Sequence, residues 1–189
     1  MKKFAFLFAL ILVLGLSAFA GKSDWYVEAD YFSHQFQIRP GDYFDESNSG
    51  FGWYYAGYDF DGQWELGVSY FEWSAELVMS STFSHQVDLY PGVFYIQYKP
   101  VSSKNADWEP ILGIGYGSAN VVWRNIDKTN SGWNYMESHR YDVFAWTLGV
   151  RYFFNNNWGL NLRYIRHEID IPYGHILGAG YNIGITYKF

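Results

Sequence analysis

From Leu177 to Phe189 the chain alternates strictly. Leu177, Ala179, Tyr181, Ile183, Ile185, Tyr187 and Phe189 fall on one face of an extended strand, and Gly178, Gly180, Asn182, Gly184, Thr186 and Lys188 fall on the other. Successive side chains of a strand point to opposite sides, so this period makes a two-faced ribbon, greasy on one side throughout. The pattern recurs. Phe144, Trp146, Leu148, Val150 and Tyr152 oppose Ala145, Thr147, Gly149 and Arg151. Leu160, Leu162 and Tyr164 oppose Asn161 and Arg163, and Leu66, Val68 and Tyr70 oppose Glu65, Gly67 and Ser69. A noisier copy sets Val27, Ala29 and Tyr31 against Glu28 and Asp30, while Val87, Leu89, Val93 and Tyr95 alternate with Tyr90, Phe94 and Ile96 and leave that strand ambiguous. Where these strands meet short turns they carry rings: Trp25, Tyr26, Tyr58, Phe60, Trp64, Tyr98, Trp108, Phe153, Trp158, Tyr187 and Phe189. A ring with a polar edge is most stable between hydrocarbon and water, which reads the apolar faces as lipid-facing.

The punctuation gives eight strands, about 25–37, 49–60, 63–75, 84–99, 107–123, 141–154, 158–169 and 176–189. Asp61-Gly62 between two alternating runs predicts a two-residue hairpin, and Asn155-Asn156-Asn157 predicts another tight turn. Connections are short after the second, fourth and sixth strands. They are mostly longer after the others, with 124–140 the longest and 38–48 next. That asymmetry is expected of a barrel with short periplasmic turns and long outer loops, both chain ends being periplasmic. The fold expected is all-β: an eight-stranded antiparallel transmembrane β-barrel.

Other features fit. Lys2 and Lys3 precede an apolar run from Phe4 to Leu16, followed by Ala18-Phe19-Ala20, which predicts a cleaved signal peptide over 1–20 and a barrel domain over 21–189. Aromatic residues make up 23% of the chain, yet no later apolar run is long enough for a membrane helix. The formal charge is −6 and becomes −8 without the two lysines, which speaks against nucleic acid as a partner. Cysteine is absent, which excludes a disulfide framework.

The inward faces predict a lumen holding Glu28, Asp30, Glu65 and Asp88 with Arg151 and Arg163. Charges taken out of water persist when paired, so carboxylates are expected on the two guanidiniums, as a structural network rather than an ion path. Gly113, Gly115 and Gly117 line one face of a strand and are expected to make room for bulky neighbours. Pro91, with no N–H to give, predicts a bulge or register break. His34, His85, His139, His167 and His175 are placed near strand ends on the outer side. The adjacent pairs Ser33-His34, Ser84-His85 and Ser138-His139 point to opposite faces and so make no catalytic pair. No catalytic, cofactor or metal residue is assigned.

With its leader, alternating strands, loop asymmetry and the ending Ile183-Gly184-Ile185-Thr186-Tyr187-Lys188-Phe189, the chain resembles the small OmpA/OmpX-type outer-membrane barrels. The resemblance implies Tyr187 and Phe189 as the signal read by the barrel-assembly machinery. It also implies outer-membrane lipids and lipopolysaccharide as surroundings, and a bacterial outer-membrane location. No histidine is followed two residues later by serine, unlike the deacylase barrels of that family. A monomeric, non-enzymatic scaffold presenting its outer loops to an unidentified envelope or surface partner is expected. The alternatives are a lipid A-modifying enzyme with a site near His34, His167 or Glu168, and a narrow pore.

Overall fold

A computed structural model of the protein describes residues 24–39, 45–78, 83–101, 107–127, 132–172 and 174–189. The expected leader over 1–20, and with it the start of the barrel domain at 21, lies outside the described residues. Nine strands are formed: β1 (Trp25–Arg39), β2 (Asp45–Asp59), β3 (Trp64–Tyr70), β4 (Trp73–Val78), β5 (Phe83–Tyr98), β6 (Trp108–Asp127), β7 (Gly132–Phe153), β8 (Trp158–Ile171) and β9 (Gly174–Lys188). Every pairing between neighbours is antiparallel. The order is β3-β2-β1-β9-β8-β7-β6-β5-β4, and a further β3–β5 pairing closes the sheet on itself.

β3 and β4 occupy one place in the wall, so the barrel has eight positions. Both pair with β5 in a constant register, Tyr70 opposite Gly92 and Trp73 opposite Leu89, with Phe71 and Glu72 interrupting between them. The interruption faces Pro91. Phe71 N–H still reaches the Pro91 carbonyl at 3.4 Å, but proline has no N–H to return, and the ladder lapses there. In place of the expected bulge or register break there is a gap in the ladder across one seam, with the register unchanged on either side of it. On the other side β5 runs opposite β6 without a shift.

Loops expected at 38–48 and 124–140 are shorter than the polarity pattern implied. β1 and β2 stay paired from Gln37 opposite Asp45, and β6 and β7 from Asp127 opposite Gly132. Alternation of polarity reports contact with lipid, whereas backbone pairing continues above it. The two short turns among the described residues follow one plan. Phe60 N–H donates to the Trp64 carbonyl at 3.2 Å, and Phe154 N–H to that of Trp158 at 3.1 Å, which makes both turns three residues long rather than two at Asp61-Gly62. In the first, Asp61 Oδ1 accepts the Gln63 and Trp64 amides at 2.8 and 2.6 Å, with Gly62 at φ 88°. In the second, Asn155 Oδ1 accepts those of Asn157 and Trp158 at 2.9 and 2.7 Å. These are side-chain-locked turns of the kind Asp and Asn favour.

Outward side chains such as Leu66, Phe94, Ile114, Leu148, Leu162 and Ile183 form the lipid-facing belt, each 38–59% exposed. At the short-turn edge the rings are ordered. Trp25 stands opposite Tyr58, Trp64 opposite Tyr98, Trp108 opposite Tyr152 and Trp158 opposite Tyr187, with ring centroids 5.0, 4.9, 4.5 and 4.7 Å apart. These four seams have no turn at this end, since their strands are joined at the other. The Trp–Tyr pair closes the seam where the chain does not. An aromatic pair adds about 0.5–1.5 kcal/mol beyond the area it buries. Trp64→Ala should therefore lower the unfolding free energy in lipid vesicles by about 2 kcal/mol. Phe60→Ala, at a seam already closed by a turn, should cost less than half of that by urea titration; equal losses would remove the seam argument. Tyr26 and Phe153, expected in this girdle, instead face inward and lie 6.0 Å apart at the floor of the lumen.

Candidate functional site

The inward side chains sort into two layers. Near the short-turn end, Arg151 is the hub of a charged layer. Its Nε donates to Glu28 Oε1 at 2.5 Å, and its Nη1 and Nη2 grip both oxygens of Glu65 at 2.7 and 2.8 Å. Glu109 stands 3.5 Å from Nη1, and the Tyr26 ring lies 4.5 Å from the guanidinium carbon. Arg163 donates to Glu28 Oε1 at 2.6 Å and to Gln97 at 3.1 Å, its guanidinium 5.0 Å from the Tyr55 ring. Lys99 is paired to Asp59 and lies 3.7 Å from Glu65. All of these side chains are buried. Planar guanidiniums suit the task because they satisfy several carboxylate oxygens at fixed angles while stacking on rings.

Of the six lumen residues expected from the sequence, Glu28, Glu65, Arg151 and Arg163 come together. Asp30 is inward but takes its hydrogen bond from Asn161 Nδ2, at 2.9 Å, rather than from an arginine. Asp88 does not belong to the lumen. Even-numbered residues of β5 such as Phe94 and Ile96 face outward, and Asp88 shares their side, held by Arg124 at 2.8 Å, Ser74 at 2.6 Å and Gln86 at 2.7 Å. Above the hydrocarbon the outer face meets water and the inner face meets a dry core, so the polar-in rule reverses. Sequence reasoning missed Lys99, Asp59 and Glu109. Each sits at a strand end, where a charged residue reads as belonging to a turn.

Toward the outer end the lumen becomes an apolar core. Phe32, Phe36, Phe71, Trp73, Val87, Leu89, Val93, Tyr95, Ile165, Ile169 and Ile176 are buried together there. Phe36 and Trp73 are in contact with centroids 4.1 Å apart. Two of the three β6 glycines make room for side chains as expected, since a Cβ on Gly113 would lie 2.7 Å from Thr147 and one on Gly115 2.6 Å from Val93 and 2.8 Å from Tyr95, whereas at Gly117 it would meet the backbone of Gly92. His34 and His167, placed at the outer rim by the sequence, are instead buried in this core with ring centroids 6.0 Å apart. His34 bonds Asn182 at 2.7 Å and His167 lies 3.3 Å from the Tyr95 hydroxyl. Glu168 faces the other way, in a rim group where His175 Nδ1 is 2.7 Å from Asp170 and 3.7 Å from Glu168. Glu168 and the two buried imidazoles thus belong to separate groups.

Beyond the end of the β7–β8 pairing, β5, β6 and β7 continue together as a ribbon, paired up to Phe83 opposite Asp127 and Asp127 opposite Gly132. The last β7–β8 pair is Val143 opposite Ile169, whereas β6–β7 pairing runs on to Asp127 opposite Gly132. Residues 132–142 thus have β6 on one edge and no strand on the other among the described residues, and residues 136–140 are all exposed.

The family model of the outer membrane protein beta-barrel domain matches residues 6–189. No curated protein matches the chain. Among solved structures, the chain is similar to the Neisserial surface protein A, NspA, at 20% identity and a TM-score of 0.67, over 90% of this chain and 100% of that one. It is similar to Ail, the attachment invasion locus protein of Yersinia pestis, at 12% identity and a TM-score of 0.60, over 88% and 99%. It is also similar to the outer membrane protein OprG of Pseudomonas aeruginosa, at 15% identity and a TM-score of 0.58, over 88% and 96%.

Proposed function

Because the chain belongs to the outer membrane protein beta-barrel domain family and so lies in the bacterial outer membrane, we propose that it is a monomeric, non-enzymatic scaffold presenting its outer strands and loops to an envelope or surface partner. The observation that carries this reading is the β5–β6–β7 ribbon, whose last strand runs past β8 and, among the described residues, has a free edge along residues 132–142. An unpaired strand edge is a row of backbone donors and acceptors that a partner's extended segment can complete. The layered lumen favours a scaffold over a conduit, since an eight-stranded interior is just wide enough for side chains to fill. Tyr187 and Phe189, edge-on with centroids 4.9 Å apart, carry the assembly signal in this reading.

Replacing residues 124–140 with a two-residue Asn-Gly turn tests the proposal. The shortened protein should still refold, as judged by its mobility on unheated gels, while cells displaying it lose attachment to immobilised basement-membrane extract relative to cells displaying the full chain. Equal attachment by the two would remove the ribbon from the function. A reproducible change in the acyl chains of lipid A on expression, seen by mass spectrometry, would replace the scaffold with an enzyme.

A further inference from the structure

The lipid-facing belt has one notch. Val68, Phe94, Tyr116 and Phe144 stand opposite one another across four neighbouring strands and present apolar side chains outward. One row nearer the outer mouth, the positions are Tyr70, Gly92, Ser118 and Asp142, and at Gly92 and Ser118 the belt has almost no side chain. The result is a groove of about 640 Å³ on the outer wall, with Val68, Phe94 and Tyr116 as apolar sides and Ser118, Arg140 and Asp142 at its outer end. A Cβ added to Gly92 would meet only the Ser118 carbonyl, at 4.0 Å, so the space over this residue is open. Arg140 Nε donates to Ser118 Oγ at 2.9 Å, which holds the guanidinium at the groove's end. Among the described residues Arg140 makes no ion pair, and its other N–H groups are available.

The surroundings indicate what fits. Tyr90 and Asn120 share the row of Arg140, so the guanidinium sits where the apolar belt gives way to polar side chains. On a chain with net charge −6, a cation at that boundary is matched to a lipid phosphate rather than to the protein's own surface. Asp142 beside it would repel a phosphate placed on top of it but accepts hydroxyl groups, a combination that suits a phosphorylated sugar. We propose that this groove docks a phosphorylated glycolipid of the outer leaflet, one acyl chain lying along Val68, Phe94 and Tyr116 and one phosphate on Arg140. This goes beyond the surface-partner reading and does not rest on it, since the groove takes its apolar sides from the wall and only Arg140 and Asp142 from the base of the 132–142 edge, and point variants there leave the ribbon in place.

The test uses the full chain refolded in detergent and native mass spectrometry with three probes: diphosphoryl lipid A, its dephosphorylated form, and phosphatidylethanolamine. The parent protein should retain diphosphoryl lipid A in preference to the other two. Arg140→Ala should weaken that binding about fivefold, to the level of the dephosphorylated form, as loss of one lipid-facing cation implies, and Arg140→Lys should restore part of it. Gly92→Phe, which fills the groove, should weaken binding of both lipid A forms. Ser118→Leu fills it from β6 should the first variant fail to refold. Equal retention of phosphatidylethanolamine and lipid A by the parent, or unchanged retention in Arg140→Ala, overturns the proposal.

Discussion

Arg151→Met should cost about 3–5 kcal/mol of folding free energy, because it takes the charge from the hub of a buried ionic layer. The side chain is unbranched and of comparable length, so packing is kept while the charge is lost. What remains is Glu28, Glu65 and Glu109 buried around a thioether, with Arg163 and Lys99 left to answer them. An uncompensated buried carboxylate is far more costly than the intact pair is stabilising, because the desolvation is spent and the attraction is gone. In urea-titrated refolding into vesicles the variant's midpoint should therefore fall sharply. Arg151→Met combined with Glu65→Gln should recover part of the loss, since neutralising one partner removes the imbalance. A midpoint within about 1 kcal/mol of the parent would mean that the layer is open to water and its ion pairs behave as surface pairs.

Trp73→Ala should cost about 3–5 kcal/mol by a different route. The ring packs against Phe36 at 4.1 Å, near the outer end of the core that includes Phe71, Leu89 and Ile176. Its removal leaves a cavity that walls of hydrogen-bonded strands cannot collapse to fill. Trp73→Phe, which keeps most of the volume, should lose less than about 1.5 kcal/mol. If Trp73→Ala lost no more than Trp73→Phe, the outer half of the lumen would not be a packed core.

The barrel itself was legible because lipid contact imposes a period of two on every strand. The faces assigned to the stretches around Leu66, Leu148, Leu162 and Ile183 are those the structure shows. Legibility ended where lipid did. In β5, Val87 and Leu89 turn into an apolar lumen while Gln86 and Asp88 face out. Taking polar as inward therefore misplaced Asp88, although the same rule succeeds for Glu65 and Arg163. His34 and His167 were misread for the same reason, since an imidazole near a strand end looks like rim when the core below it is unknown. The lengths of β6 and β7 were hidden because backbone pairing above the membrane leaves no mark on side-chain polarity. Asp59, Lys99 and Glu109 were missed because their partners come from other strands, Glu109 facing Arg151 across the β6–β7 pairing and Lys99 reaching Asp59 past β3, and nothing local distinguishes a charge folded under the floor from one in a turn.

The β1–β9 seam has a neighbouring consequence. Phe189 N–H donates to the Trp25 carbonyl at 3.0 Å, and β1 pairs with β9 from Tyr26 opposite Lys188 to Arg39 opposite His175, with no connecting segment at either end. Every other stave of the wall is tethered to a neighbour by the chain, so this is the slit through which the cylinder must zip shut. Until it does, the first and last strands each carry an open rim of backbone donors and acceptors, so closure of this one slit is what leaves the wall without an edge.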